Sequence, residues 1–183
     1  MNSTSKIFED HEAGLEVKAL FDNIKNDLQA PFVPNFFTVW GDAPEALKGI
    51  FPAMKHILVS GHLNRQLKEM IILAISSKND CEYCVAAHQA FASMMGVSME
   101  DIQSLKSQYT TSQNDPKMTA AINYALKLAK DANSGTLEDI NQLKSVGYSK
   151  VEILEIIAMS GMSVFYNHLA NATQINIDQA FMA

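Results

Sequence analysis

Apolar residues in this chain recur every three or four positions over long stretches, and almost nowhere do they alternate with period two. A helix repeats its faces every 3.6 residues and a strand every two, so this periodicity commits the chain to an all-α fold. Its 183 residues, 48% of them apolar, suffice for a single domain with a sizeable core. Amphipathic spacing marks a helix from Leu15 to Leu28, stopped at Ala30-Pro31. The aromatic, proline-punctuated stretch from Pro31 to Gly41 reads as an ordered loop with short helical turns on the core, able to wall a pocket. Asp42-Ala43-Pro44 then offers a cap and an early proline for a helix over 45–60, ended by Gly61.

Asn64 is placed to cap the next helix, which runs to Ser77 and contains Met70 to Ile75, apolar on every side. A helix apolar all round belongs at the centre of a bundle. Ser76 to Asp80 breaks it, and Asp80 is placed to cap a following helix that reaches Met95 and stops at Gly96. Further helices are expected over 98–107, from Pro116 to Ser134-Gly135, over 137–145 and over 151–172, the last capped by Ser149. Residues 1–14 read as a flexible start and residues 108–115 as a polar connection. Met94, Met95, Met159 and Met162 read as core filling.

Fourteen Lys and Arg stand against 20 Asp and Glu, giving a formal charge of −6 with no basic cluster. Nucleic acid and anionic membrane surfaces are therefore not expected as partners. The first ten residues lack the basic-then-apolar pattern of a signal peptide, and the expectation is a soluble cytoplasmic protein. In that compartment thiols stay largely reduced, which turns attention to the two cysteines.

Cys81 and Cys84 open a predicted helix, and His88 follows one turn later. Steps of three, four and seven share one helical face, so the three side chains point the same way. Such a set suits two-electron chemistry: one thiolate attacks, the other closes a disulfide, and the imidazole moves protons. The helix dipole nominates Cys81 as the thiolate, whereas the imidazole nominates Cys84. Glu69 lies twelve residues before Cys81. A hairpin about Ser76–Asp80 would bring its carboxylate to the thiol face, where burial would raise its pKa and let it shuttle protons with His88. The alternative is a solvated glutamate beside Arg65 and Lys68. For the thiols the alternatives are two small buried hydrophobes, or a zinc site completed by His88 with Glu69 or His62. His11, His56 and His62 read as structural or solvated, and His168 as facing the core or an interface.

The pattern Glu69, Cys81, Cys84, His88 resembles the signature of the AhpD-like alkylhydroperoxidases within the carboxymuconolactone decarboxylase superfamily. Val33-Pro34-Asn35 with Ala43-Pro44-Glu45, and the block from Ala125 to Ala172 with Gly147-Tyr148 and Phe165 to Asn167, are similar to its flanking segments. The resemblance implies an all-helical AhpD-like core over residues 42–175 that assembles into homotrimers or homohexamers, with the thiols near subunit contacts. It implies that Cys84 attacks a peroxide, Cys81 resolves the sulfenic acid, and His88 with Glu69 relays protons. The activity implied is reduction of hydrogen peroxide or small organic hydroperoxides, without metal, haem or flavin, using electrons from a dithiol donor such as a lipoyl protein or thioredoxin.

Two positions depart from the pattern. Tyr83 occupies the place of a second histidine in the best-known alkylhydroperoxidase, as in a peroxidase-related branch, and a phenol is a poor base at neutral pH. His168 stands where relatives often have arginine. The other readings are a decarboxylase acting on a lactone acid without need of the thiol pair, and a redox-responsive binding protein without turnover. Assembly is expected on a second ground too: the aromatic stretch Phe32–Trp40 and the apolar last helix exceed what one small domain hides.

Overall fold

In a computed structural model that describes residues 3–111 and 115–182, Met70 to Ile75 are enclosed on all sides, none more than 2% exposed. They form the middle of α4 (Arg65–Lys78), around which the other elements are arranged: α1 (Leu15–Leu28), α2 (Asn35–Thr38), α3 (Pro44–Met54), α5 (Glu82–Met94), α6 (Met99–Ser107), α7 (Pro116–Lys130), α8 (Leu137–Ser145) and α9 (Lys150–Thr173). Helices α5, α6, α7 and α9 all pack directly on α4. Among the described residues there is no strand beyond one isolated bridge between Ser5 and Ile175. The all-α single domain expected from the periodicity is the fold observed. By length and composition α9 could cross a membrane, but its Ile153, Ile156, Met159 and Ala170 are core residues packed in the bundle.

Several helix ends follow the sequence closely. Asn64 Oδ1 accepts from Gln66 N, Ser98 caps α6, and Ser149 forms a reciprocal capping box with Glu152. Others do not. Asp42 does not cap α3, whose N-cap is Ala43; its carboxylate sits 3.0 Å from His11 Nδ1 instead. The helix expected over 45–60 changes after Met54 into a wider π turn over Lys55–Val59. Pro52 contributes no N–H to that ladder, and Lys68 Nζ takes the carbonyls of Ile57 and Ser60 as acceptors. Helix α7 ends at Lys130 rather than Ser134, because Asp131 turns to accept from Asn133 N and starts a 3₁₀ turn.

The aromatic stretch is largely internal. Phe36 and Phe37 are buried, Phe37 stands edge-on to Phe51, and Phe36 packs against Tyr166 and Tyr83. It therefore does not contribute the surplus apolar surface expected of it. Helix α9 does: Val151, Leu154, Ile157, Val164 and Phe165 remain exposed at helical spacing along one face. Met94 is 81% exposed and Met95 is exposed too, against the core role expected of them, while Met159 and Met162 are buried. Of the start expected to be flexible, Met1 and Asn2 lie outside the described residues. Ser5 is buried and Lys6 N donates to Gln174 O. In the connection over 108–115, Ser112, Gln113 and Asn114 likewise lie outside the described residues.

Candidate active site

The turn between α4 and α5 decides where the thiols stand. Asp80 adopts a left-handed conformation, φ 50°, which aspartate tolerates better than most residues. It thereby closes α4 with a Schellman motif: Cys81 N donates to Ser76 O and Asp80 N to Ser77 O. This overturns the expectation that Asp80 caps α5. With Asp80 used to end one helix, Cys81 becomes the N-cap residue of the next, at the positive end of the α5 dipole and one turn from Ser76.

Both cysteines are free thiols and both are buried, Cys81 completely. They share a hydrogen bond. Cys84 as donor lowers the pKa of Cys81, helped by the Cys84 backbone N–H, whereas the same bond together with burial pushes Cys84 well up. The side chain of Asn167, on α9, lies within hydrogen-bonding reach of both thiols, and Ser76 within reach of Cys84. Asn167 is itself fixed: its Nδ2 donates to Ser76 Oγ at 2.8 Å and its Oδ1 accepts from Asn79 Nδ2 at 2.9 Å.

Glu69 and His88 meet across the α4–α5 hairpin as the spacing predicted. Glu69 is fully buried, and its Oε2 lies 2.6 Å from His88 Nδ1. Its Oε1 accepts from Arg65 Nε at 2.7 Å and from Arg65 Nη2. The solvated alternative for Glu69 is thus excluded, and so is the raised pKa expected of it. Burial pushes the carboxyl up, but His88 and Arg65 outweigh it and hold Glu69 below the ordinary glutamate range. His88 presents Nδ1 to this carboxylate.

Tyr83, between the cysteines, faces away from this chemistry. Its hydroxyl donates to Asp178 Oδ2 at 2.6 Å and accepts from Phe36 N at 3.2 Å, and Asp178 also accepts from Asn35 N at 3.1 Å. Burial raises both the Tyr83 phenol and the Asp178 carboxyl. The phenol is a latch joining the aromatic segment, α5 and the C-terminal segment. His168 is exposed on α9. His62 is 76% exposed at its side chain, beside Glu155, and so is not gathered with the thiols. Among the described residues no group of three or more His, Cys, Asp or Glu is arranged to hold a metal.

Asn167 and Ser76 were not singled out from the sequence. A signal existed: Asn167 continues the buried stripe Ile153, Ile156, Ser160, Ser163 and Ala170 of α9, and an amide inside such a stripe needs polar partners.

An all-helical hairpin that presents two free thiols at a helix start, backed by a buried Glu–His pair, defines the class. Residues 44–127, from α3 into α7 and including Glu69, Cys81, Cys84 and His88, match the carboxymuconolactone decarboxylase family. That match covers the segment that carries the site rather than the whole chain. No curated protein sequence matches it. Among solved structures it is similar to a peroxidase-related protein with an alkylhydroperoxidase AhpD core from Ralstonia eutropha JMP134, at 22% identity over 99% of this chain and 96% of that one, with a TM-score of 0.88. A peroxidase-related protein from Silicibacter sp. TM1040 is similar at 21% identity over 99% and 95%, TM-score 0.87. The debrominase Bmp8 is similar at 22% identity over 91% and 88%, TM-score 0.74. At these identities the likeness is one of fold.

Proposed function

We propose that the protein is a thiol-dependent peroxidase that reduces hydrogen peroxide or a small organic hydroperoxide through Cys81 and Cys84. The observation that carries this reading is the hydrogen-bonded pair of free thiols at the start of α5, one made more acidic at the expense of the other. Attack by Cys84 follows transfer of its proton to His88, which hands it on to the oxygen that leaves. The Cys84 thiolate takes the terminal oxygen of the peroxide, the O–O bond breaks, and the alcohol or water leaves with a proton. Cys81 then attacks the sulfur of the Cys84 sulfenic acid to form the disulfide, and the hydroxide displaced receives the Cys81 proton through His88 and leaves as water. One peroxide and two thiols give one disulfide, water and the alcohol, and a dithiol donor returns the pair to the thiol state. We further propose a cytoplasmic setting, a lipoyl or thioredoxin-like donor, and a homotrimer or homohexamer that covers the exposed apolar face of α9.

The test is peroxide consumption by the purified protein with a panel of dithiol donors, beside Cys84→Ser. Turnover that vanishes in the variant supports the reading, and a blank across the panel removes it. The fold shared with a debrominase gives a second reading, in which the same thiols reduce an aryl bromide: a proton replaces bromine on the ring carbon, bromide leaves, and the two electrons come from closing the same disulfide. A bromopyrrole arm in the assay separates the two.

A further inference from the structure

Glu69 divides its two oxygens between partners of different character. Oε2 faces His88 Nδ1, while Oε1 takes two donors from Arg65, which lies one turn earlier on α4. Among these three, Arg65 reaches solvent most, with 27% of its side chain exposed against none for Glu69 and 11% for His88. A carboxylate sealed from water must be matched by a cation or take up a proton. A guanidinium carries a permanent charge and a fixed fork of donors, so it matches the carboxylate without itself titrating. The charged groups facing Glu69 among the described residues are Arg65 from its own helix and His88 from α5; Lys68, its neighbour in sequence, points to Glu155 instead.

The charge of Glu69 has a direct consequence for the imidazole. A carboxylate can only accept, so His88 Nδ1 must carry a proton and the lone pair of the neutral ring lies at Nε2. A protonated Glu69 would donate to Nδ1, and the neutral ring would then bear its proton at Nε2, where it could not accept one from a thiol.

We propose that Arg65 is a positioning residue that fixes Glu69 as a carboxylate and so sets the His88 tautomer with its lone pair at Nε2. The use of that lone pair as a base rests on the peroxidase reading; the charge state of Glu69 does not. The lowered pKa of Glu69, against a burial that alone would raise it, agrees with this assignment.

The experiment compares wild type with Arg65→Met and Arg65→Lys, all reduced and without peroxide. Infrared titration reads the carboxylic-acid band, assigned by its loss in Glu69→Gln, and nitrogen-15 shifts of the ring read the His88 tautomer. Wild type is expected to lack the Glu69 acid band at neutral pH and to show Nδ1–H. In Arg65→Met the Glu69 midpoint should rise by about one to three pH units, the usual effect of removing an adjacent opposite charge, and Nε2–H should appear. Lysine should restore most of both. In the peroxide reaction the acid limb of the rate profile should move up by the same interval. Should Arg65→Met fail to fold, Arg65→Gln carries the same readouts. A charge-free variant with Glu69 still ionised and the tautomer unchanged overturns the proposal. A shifted Glu69 in a protein inert to peroxide overturns the peroxidase reading and leaves the role of Arg65 standing.

Discussion

Lys68 and Glu69 are consecutive in sequence and both are buried, yet they serve opposite purposes. Lys68 turns to the α9 side of α4. Its ammonium is 2.8 Å from Glu155 Oε2 and 2.8 Å from Ile57 O, and it also holds Ser60 O. Burial raises Glu155, but the backbone N–H groups of His62 and Leu63 and the Lys68 ammonium outweigh it and hold that carboxyl at about 2. The space is tight: a Cβ at Gly61 would come within 2.6 Å of the Glu155 oxygens. Its inner partners are the Lys68 ammonium and backbone groups, with the exposed His62 imidazole 3.4 Å from Glu155 Oε1 at the rim, and together they lock the π turn to α9. Glu69, on the other side of the helix, ends on the His88 imidazole, buried on the helix that carries the thiols. Burial of a charge does not mark a site. A buried carboxylate joined to a buried imidazole on the thiol-bearing helix is the arrangement that can serve proton transfer.

The comparison breaks most readily at Glu69. Glu69→Gln, measured as the rate of thiol oxidation by peroxide, should lose roughly 10²–10⁴-fold, as when an acid–base group is removed. His88→Gln should match it, and the double variant should be little worse, because members of one relay act as a unit. Full peroxide reactivity in Glu69→Gln would place that carboxylate with Glu155 as structure.

Lys68→Met should show the reverse pattern. Removing one partner of a buried pair leaves the other uncompensated, and urea denaturation should show a loss of about 3 kcal/mol, with the oxidation rate per folded molecule unchanged. A smaller effect follows from pH. Glu155 is depressed in the fold, so its contribution is fully present above the ordinary glutamate range and fades as pH falls through it towards about 2. Denaturation midpoints recorded down this acid limb should fall more steeply for wild type than for Glu155→Gln, which has no carboxylate to titrate. Parallel curves would mean that the joint does not depend on this charge.

The smallest effect is expected at Tyr83. Tyr83→Phe removes the hydroxyl bonded to Asp178 and Phe36 N, a change worth about 1–2 kcal/mol by denaturation, while thiol oxidation keeps its wild-type rate. A large loss of rate with unchanged stability would move Tyr83 from the latch into the chemistry.

Local signals in the sequence were strong where one segment settles its own structure. The greasy stretch Met70 to Ile75, the caps at Asn64 and Ser149, and the stop at Gly96 all stand where propensity and periodicity put them. The i, i+3 and i+7 spacing of Cys81, Cys84 and His88 also sufficed to gather them on one buried face. Caps failed where a candidate side chain had a competing use: Asp42 is drawn to His11, and Asp80 is spent on the left-handed turn.

What the sequence determined by itself is the helical fold, the central place of α4 and the meeting of Glu69 with His88, because each follows from spacing along a single helix or across one short hairpin. Tertiary structure decided the rest. It chose which face of α4 each of two adjacent charges would occupy, brought Asn167 from α9 to the thiols, and turned Tyr83 towards Asp178 nearly a hundred positions away. It also reversed the expected ionisation of Glu69. The physical reason is that a pKa and a buried hydrogen bond depend on groups within a few ångströms in space, and long-range packing alone selects those groups.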